Sequence, residues 1–183
     1  MSQSTERTRP AARSISVQAL VEAAIMVAVA SVLSVVVLFH APQGGSVTPA
    51  SMVPLLVLAL RRGPKVGLMA GAVYGLIQLW LDPFVVHWAQ VILDYPLAFA
   101  LLGLAGFFPG RPYLGVAAGI LGRMVSHVLS GVIFFASYAG EVNPWIYSLA
   151  YNAGYLVPEL VLSLVVLLLL RAGSRGDLIQ RVA

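Results

Sequence analysis

Asp94 lies in Trp88-Ala-Gln-Val-Ile-Leu-Asp-Tyr-Pro-Leu-Ala-Phe99, a run otherwise fit for hydrocarbon. An ionisable group near the centre of a membrane helix costs at least about 2.5 kcal/mol, so it faces a cavity, a partner charge or a ligand. The chain supplies few fixed cations to pair with it, which points to a small organic cation arriving from outside. His127 and Asn152 stand in two later apolar runs, with Tyr147 and Phe135 close to them in sequence depth. A carboxylate, an imidazole, a carboxamide and aromatic faces suit a flat, nitrogen-rich cation. Asp94 would meet its charge or an aminopyrimidine edge, Asn152 and His127 would supply hydrogen bonds, and the rings would stack.

A deeper pair, Arg123 and Glu159, is expected to form a structural ion pair between helices, since either charge alone would be expensive in lipid. The plainer reading of His127 is a bundle histidine bonded to the neighbourhood of Arg123, one turn below. Ser130 is three residues from His127, close enough for a nucleophile and base, but no Gly-x-Ser-x-Gly elbow and no orienting acid accompany them, so a hydrolase is disfavoured. Tyr147, Tyr151, Tyr155 and Glu159 recur every four residues, usually a packing stripe; Gly154 and Pro158 nearby let that helix bend round a ligand.

The elements that must position these residues are membrane helices. Of 183 residues, 60% are hydrophobic and 10% charged, against about 25% charged in a soluble domain, and the mean hydropathy is +0.91. At about 20 residues per span the length allows roughly six helices and no soluble domain. No Gly-rich phosphate loop ending in Gly-Lys-Ser or Gly-Lys-Thr is present, so ATP hydrolysis by that route is excluded. The absence of cysteine removes disulfides and thiolate chemistry.

The net charge of +4 does not indicate nucleic acid, because ten of the eleven Lys and Arg residues fall in four clusters on alternate connections. These are Arg7, Arg9 and Arg13; Arg61, Arg62 and Lys65; Arg111; and Arg171, Arg175 and Arg181. By the positive-inside rule both termini and the even-numbered loops are cytoplasmic.

The expected fold class is an all-α integral membrane protein of six transmembrane helices. Residues 1–14 form a cytoplasmic tail, 15–171 the membrane domain and 172–183 a second cytoplasmic tail. Helix one runs from about Ile15 to Phe39, too long for a signal-peptide core. Its Ala24-x-x-x-Ala28 stripe permits close approach of another helix, ordinary packing within the chain being the plain alternative. His40 to Pro49 is a turn-rich outer connection whose Gly44-Gly45 pair frees the backbone to approach something closely. Helix two is short, about Ala50 to Leu60, and ends at the inner loop Arg61 to Lys65. Helix three, about Val66 to Leu81, carries Gly67, Gly71 and Gly75 with Tyr74 beside them, a face for tight packing. The outer loop Asp82 to His87 holds Phe84, and the flanking Trp80 and Trp88 read as interfacial anchors. Helix four, about Trp88 to Phe108, contains Asp94 and is open to a kink at Pro96. Helix five runs from about Tyr113 to Tyr138 and helix six from about Pro144 to Leu170. Counted from the outer ends, Asp94, Asn152 and His127 fall about 9 to 15 Å down, in one layer.

Several phrases in this order resemble one family: Pro42-Gln-Gly-Gly-Ser-Val-Thr48, Ser51-Met-Val-Pro54, Leu93-Asp-Tyr-Pro-Leu-Ala-Phe99, His127-x-x-Ser-Gly-Val-Ile-Phe-Phe135 and Tyr151-Asn-x-x-Tyr-x-x-Pro-Glu159. From about Val17 to Leu170 the chain resembles the thiamine-specific substrate-binding subunit, or S component, of energy-coupling factor transporters. That resemblance implies a six-helix protein of the prokaryotic plasma membrane, without chemistry or cofactor of its own. It would capture thiamine, dock on a transmembrane coupling subunit and reorient as two partner ATPases use ATP. The family's thiamine contacts match Asp94, His127, Gly131, Tyr147 and Asn152. Aromatic contacts fall on Tyr74 and Phe135, Phe84 of the outer loop is counted with them, and the docking motif matches Ala24 and Ala28. Some relatives carry Trp where this chain has Tyr74 and Phe135, some have a Trp in the first outer loop where it has Gly44-Gly45, and some have Glu where it has Asp94. The other functions weighed are an S component for another vitamin or a thiamine precursor, and a stand-alone ion-coupled carrier.

Overall fold

The computed structural model describes residues 15–42 and 44–174; both predicted tails fall outside the described residues except for residues 172–174, and so does Gln43. Six helices are described: α1 Val17–Val35, α2 Val53–Arg62, α3 Pro64–Leu81, α4 Trp88–Phe107, α5 Pro112–Phe134 and α6 Pro144–Gly173. Ser16 caps α1 by accepting the Ala19 N–H at 3.2 Å. Proline opens α2, α3, α5 and α6, where its missing N–H would have had no helical acceptor.

Four of the six, α1, α4, α5 and α6, are long and apolar enough to cross a membrane. Helix α2 has ten residues, a rise of about 15 Å against a hydrocarbon core of about 30 Å. It is instead the bundle's central peg: Val53 to Leu60 are all buried, enclosed by α1, α3, the inner half of α4, α5 and α6. Between α1 and α2 the chain forms a small antiparallel hairpin, Phe39–His40 (β1) against Ser46–Val47 (β2), with Phe39 opposite Val47 and His40 opposite Ser46. Helix α1 is therefore shorter than the apolar run, which continues into the hairpin. The expected inner loop from Arg61 to Lys65 shrinks to Gly63, whose φ of +85° turns α2 directly into α3.

The described basic clusters gather at one end. There Glu22 of α1 pairs with Arg61 at 3.2 Å and Arg62 at 2.5 Å, and Arg171 lies 5.3 Å over the ring of Tyr113. The hairpin closes the opposite end.

Backbone contact between α3 and α4 sets the geometry of the site. A Cβ on Gly71 would stand 2.2 Å from the Phe99 carbonyl oxygen, and one on Gly75 would stand 2.4 Å from that of Tyr95. The glycine stripe thus lets α3 lie directly on α4, Gly75 against the stretch that departs from α-helix and Gly71 against the turn after it. Leu93–Leu97 makes one π-helical turn. Pro96 has no N–H to donate four residues back, and a wider turn absorbs the mismatch. After a short α-helical piece, Ala98–Ala100, α4 tightens into a 3₁₀ helix, Leu101–Phe107.

Candidate functional site

At the hairpin end the helices part around a cavity whose walls include Asp94, His127, Gly131, Phe135, Tyr147 and Asn152, with Phe84 and Gly44 to Ser46 above. Helix α5 ends at Phe134, so His127 lies seven residues below its outer end, beside Asp94 at six below Trp88 and Asn152 at seven below Trp145. The expected common layer is present and tighter than the count implied. Tyr151 and Tyr155 also reach the cavity. Successive rings of that ladder sit 6.4 Å apart, stacked, and 5.9 Å apart, edge to face.

Asp94 sits on the π turn, which aims its carboxylate at α5. Oδ1 lies 3.0 Å from His127 Nδ1, and Oδ2 accepts from Ser130 Oγ at 2.8 Å and from Gln90 Nε2 at 2.8 Å. A carboxylate offers about four acceptor positions, so one remains for a ligand. Gln90 also fastens the outer loop to α4, donating to the Phe84 carbonyl at 3.0 Å and accepting from Val86 N–H at 3.1 Å. Tyr95, next to Asp94, holds the same loop: its hydroxyl accepts from Phe84 N–H at 2.7 Å and donates to the Asp82 carbonyl at 2.9 Å. Phe84 and Phe135 then face each other at 5.9 Å, inclined by 34°.

The hairpin lies over the cavity through its glycines. A Cβ on Gly45 would meet the Tyr155 ring at 2.6 Å, and Gly45 N–H donates to the Tyr151 hydroxyl at 3.2 Å. Gly131 has a comparable role between α5 and α6, where a Cβ would meet Ser148 Oγ at 2.1 Å. Asn152 lines the cavity with its amide engaged inside α6. It donates to the Ser148 carbonyl at 2.8 Å and accepts from the Tyr155 hydroxyl at 2.5 Å.

Several expectations are corrected. Arg123 and Glu159 form no ion pair: α5 stops at Phe134, so Arg123 lies eleven residues below its outer end and Glu159 fourteen below Trp145. Glu159, 2% exposed, accepts from the Thr48 N–H at 2.6 Å and the Thr48 hydroxyl at 2.7 Å; strand β2 ends just before Thr48, whose N–H would otherwise lack an acceptor. Arg123 turns the other way, donating to His127 Nε2 at 3.1 Å and to Met52 Sδ at 2.8 Å, with its guanidinium 4.1 Å over the Phe99 ring. Both coordinates of a helix position separate the two charges, depth by three residues and azimuth by the partners each side chain meets. Tyr74 does not reach this cavity. It stands edge-on behind Phe99 at 4.8 Å and lines a second, adjoining cavity with Thr48, Ser51 and Glu159.

His127 has both ring nitrogens occupied, so it presents no free hydrogen-bonding group to a ligand. It is, as the plainer reading had it, bonded to Arg123, and it is bonded to Asp94 as well. Ser130 gives its proton to Asp94 rather than to His127, whose two ring nitrogens face Asp94 and Arg123. Sequence reasoning passed over Gln90, Tyr95 and Ser130 as partners of the acid and its loop. A usable signal was there: Gln90 is four residues before Asp94, and Arg123, His127, Ser130 and Gly131 form one stripe at helical spacing.

A bundle of apolar helices, hollowed at one end into an aromatic cavity with the hydrogen-bonded carboxylate of Asp94 on its wall, defines a membrane-embedded binder of small molecules. Residues 20–176 match the family model described as thiamine transporter protein, Thia_YuaJ. The chain belongs to that family. It is 39% identical over 171 residues to the thiamine transporter ThiT of Bacillus subtilis, covering 82% of this chain and 88% of the relative. With the thiamine transporter ThiT of Lacticaseibacillus paracasei it shares 33% identity over 136 residues, 63% of this chain and 68% of the relative. A solved structure of ThiT from Listeria monocytogenes superposes with a TM-score of 0.78 at 25% identity, covering 89% of this chain and 97% of that one.

Proposed function

We propose that the chain captures thiamine in the cavity at its hairpin end and serves its uptake as the substrate-binding subunit of an energy-coupling factor transporter. The observation that carries the reading is Asp94, an acceptor on the wall of a cavity also lined by Phe84, Phe135, Tyr147 and Tyr151. Thiamine is a flat aminopyrimidine joined to a thiazolium cation. The remaining acceptor position of Asp94 suits its amino group or its charge, and the tyrosine ladder and phenylalanine pair offer faces to both rings. His127, Gly131 and Asn152 shape this wall: His127 holds Asp94, Gly131 allows α5 and α6 to close up, and Asn152 sets the Tyr155 hydroxyl.

On this reading the basic end faces the cytoplasm in a prokaryotic plasma membrane, as the positive-inside rule requires. Ala24 and Ala28 lie on an exposed face of α1, open to a transmembrane coupling subunit. Energy would come from two partner ATPases, and the chain itself would catalyse nothing.

Competition calorimetry on the detergent-purified protein tests the ligand. Thiamine should displace its isolated aminopyrimidine half, because the neutral half lacks the cation that the aromatic faces and Asp94 attract; the expected advantage is about tenfold or more. Equal affinities would assign the site to a precursor instead.

A further inference from the structure

Asp94 has no guanidinium or ammonium within ion-pairing distance among the described residues; its ion-pair contact is His127. A fixed cation stands one hydrogen bond further on, beyond His127. Arg123 Nε donates to His127 Nε2 at 3.1 Å, and a guanidinium keeps its protons, so that bond has only one possible direction. Nε2 must therefore present a lone pair. The ring's single proton then sits on Nδ1, and the 3.0 Å contact to Asp94 Oδ1 is an N–H donated to the carboxylate.

The guanidinium is itself clamped. Met52 Sδ lies 2.8 Å from one of its nitrogens and the Phe99 ring lies 4.1 Å from its carbon, while Phe99 is braced by Tyr74 at 4.8 Å. Other groups facing the imidazole do not compete for Nε2. From α4 it meets Asp94, with Tyr95 turned towards the outer loop; from α5, Ser130, which donates to Asp94. From α6 it meets the edge of Tyr155 at 6.1 Å, whose hydroxyl is committed to Asn152. Glu159, one turn deeper, is held by Thr48.

We infer that Arg123 is a positioning residue of the binding site, acting through His127: it locks the imidazole as an Nδ1–H donor and so keeps Asp94 an oriented acceptor for a cationic ligand. The affinity part of this inference rests on the proposed thiamine site; the tautomer part does not. Without Arg123 the ring could take a second proton at Nε2, become a cation, neutralise Asp94 and repel a thiazolium.

Two measurements test it. In ¹⁵N-histidine spectra of the ligand-free protein, with His127→Gln assigning the signal, the His127 ring should remain an Nδ1–H tautomer from about pH 8 to about pH 5.5, the range in which an unconstrained histidine titrates. A ring that protonates across that range in the wild type overturns the lock, whatever the ligand proves to be. In calorimetry, Arg123→Met should bind thiamine more weakly than wild type and lose about a further tenfold as the pH falls through the same range, while wild type stays nearly level. His127→Gln added to Arg123→Met should flatten the profile again, because an amide donates to Asp94 and gains no proton. An Arg123→Met profile parallel to that of wild type would reduce Arg123 to packing. Absence of thiamine binding by wild type, with the tautomer intact, would count against the proposed function alone.

Discussion

At the scale of single residues, the cost of a carboxylate in hydrocarbon is met within the protein by three donors, Gln90, His127 and Ser130, with one acceptor position left over. Asp94→Asn removes the charge and turns one acceptor into a donor facing other donors. A hydrogen bond involving a charged group contributes about 1.5 to 3 kcal/mol, so thiamine affinity should fall by roughly 10- to 100-fold, measured by calorimetry on folded protein. An unchanged dissociation constant would remove Asp94 from the site. The chemistry at this scale was legible where a polar residue interrupted an apolar run: Asp94, His127 and Asn152 all reach the cavity. Who bonds to whom was not. Arg123 and Glu159 were expected at one depth, but their partners are Met52 and His127 for one and Thr48 for the other, settled by the earlier end of α5, by side-chain azimuth and by a strand end that only the folded chain displays.

At the scale of elements, glycine spacing and one proline place the site. Gly75 brings α3 onto the π turn of α4 and Gly71 brings it onto Phe99 and Ala100 just beyond, and the π turn carries Asp94 and Tyr95 in opposite directions, one to α5 and one to the outer loop. Gly71→Ala would drive a Cβ into the Phe99 carbonyl, where no flexible side chain can yield; overpacking of this kind costs about 1 to 3 kcal/mol. Gly154 on α6 has nothing within 4 Å of its added Cβ, so Gly154→Ala should be neutral or stabilising by up to about 1 kcal/mol. Thermal unfolding in detergent should separate the two variants in sign; matched melting temperatures would contradict the packing account. The glycine face was readable as a close contact, and Pro96 as a break. The hairpin Phe39–His40 with Ser46–Val47 was not, because two-residue strands leave no alternating pattern. Nor was the full enclosure of α2, whose uniformly apolar run reads the same in lipid as in protein.

At the scale of the whole molecule, the charged residues divide the bundle into a basic end and a binding end, and α1 presents Ala24 and Ala28 outward away from both. If that face docks a coupling subunit, Ala24→Trp should leave thiamine binding by the isolated protein within about threefold of wild type, a difference below 1 kcal/mol, while abolishing uptake by cells that supply the partner subunits. Uptake at the wild-type rate would exclude this face from docking. The interfacial tryptophans bear on how binding is best observed. Trp80, Trp88 and Trp145 are 87%, 72% and 54% exposed, and none lies on the cavity wall, so their fluorescence is a poor reporter and heat is a direct one. The decisive measurement is therefore calorimetric titration of the detergent-purified protein with thiamine, with riboflavin and biotin as controls. Saturable binding of thiamine alone, at one site per chain and micromolar or tighter, is the predicted result; a folded protein that gives no heat with thiamine, or binds riboflavin or biotin as well, would contradict it.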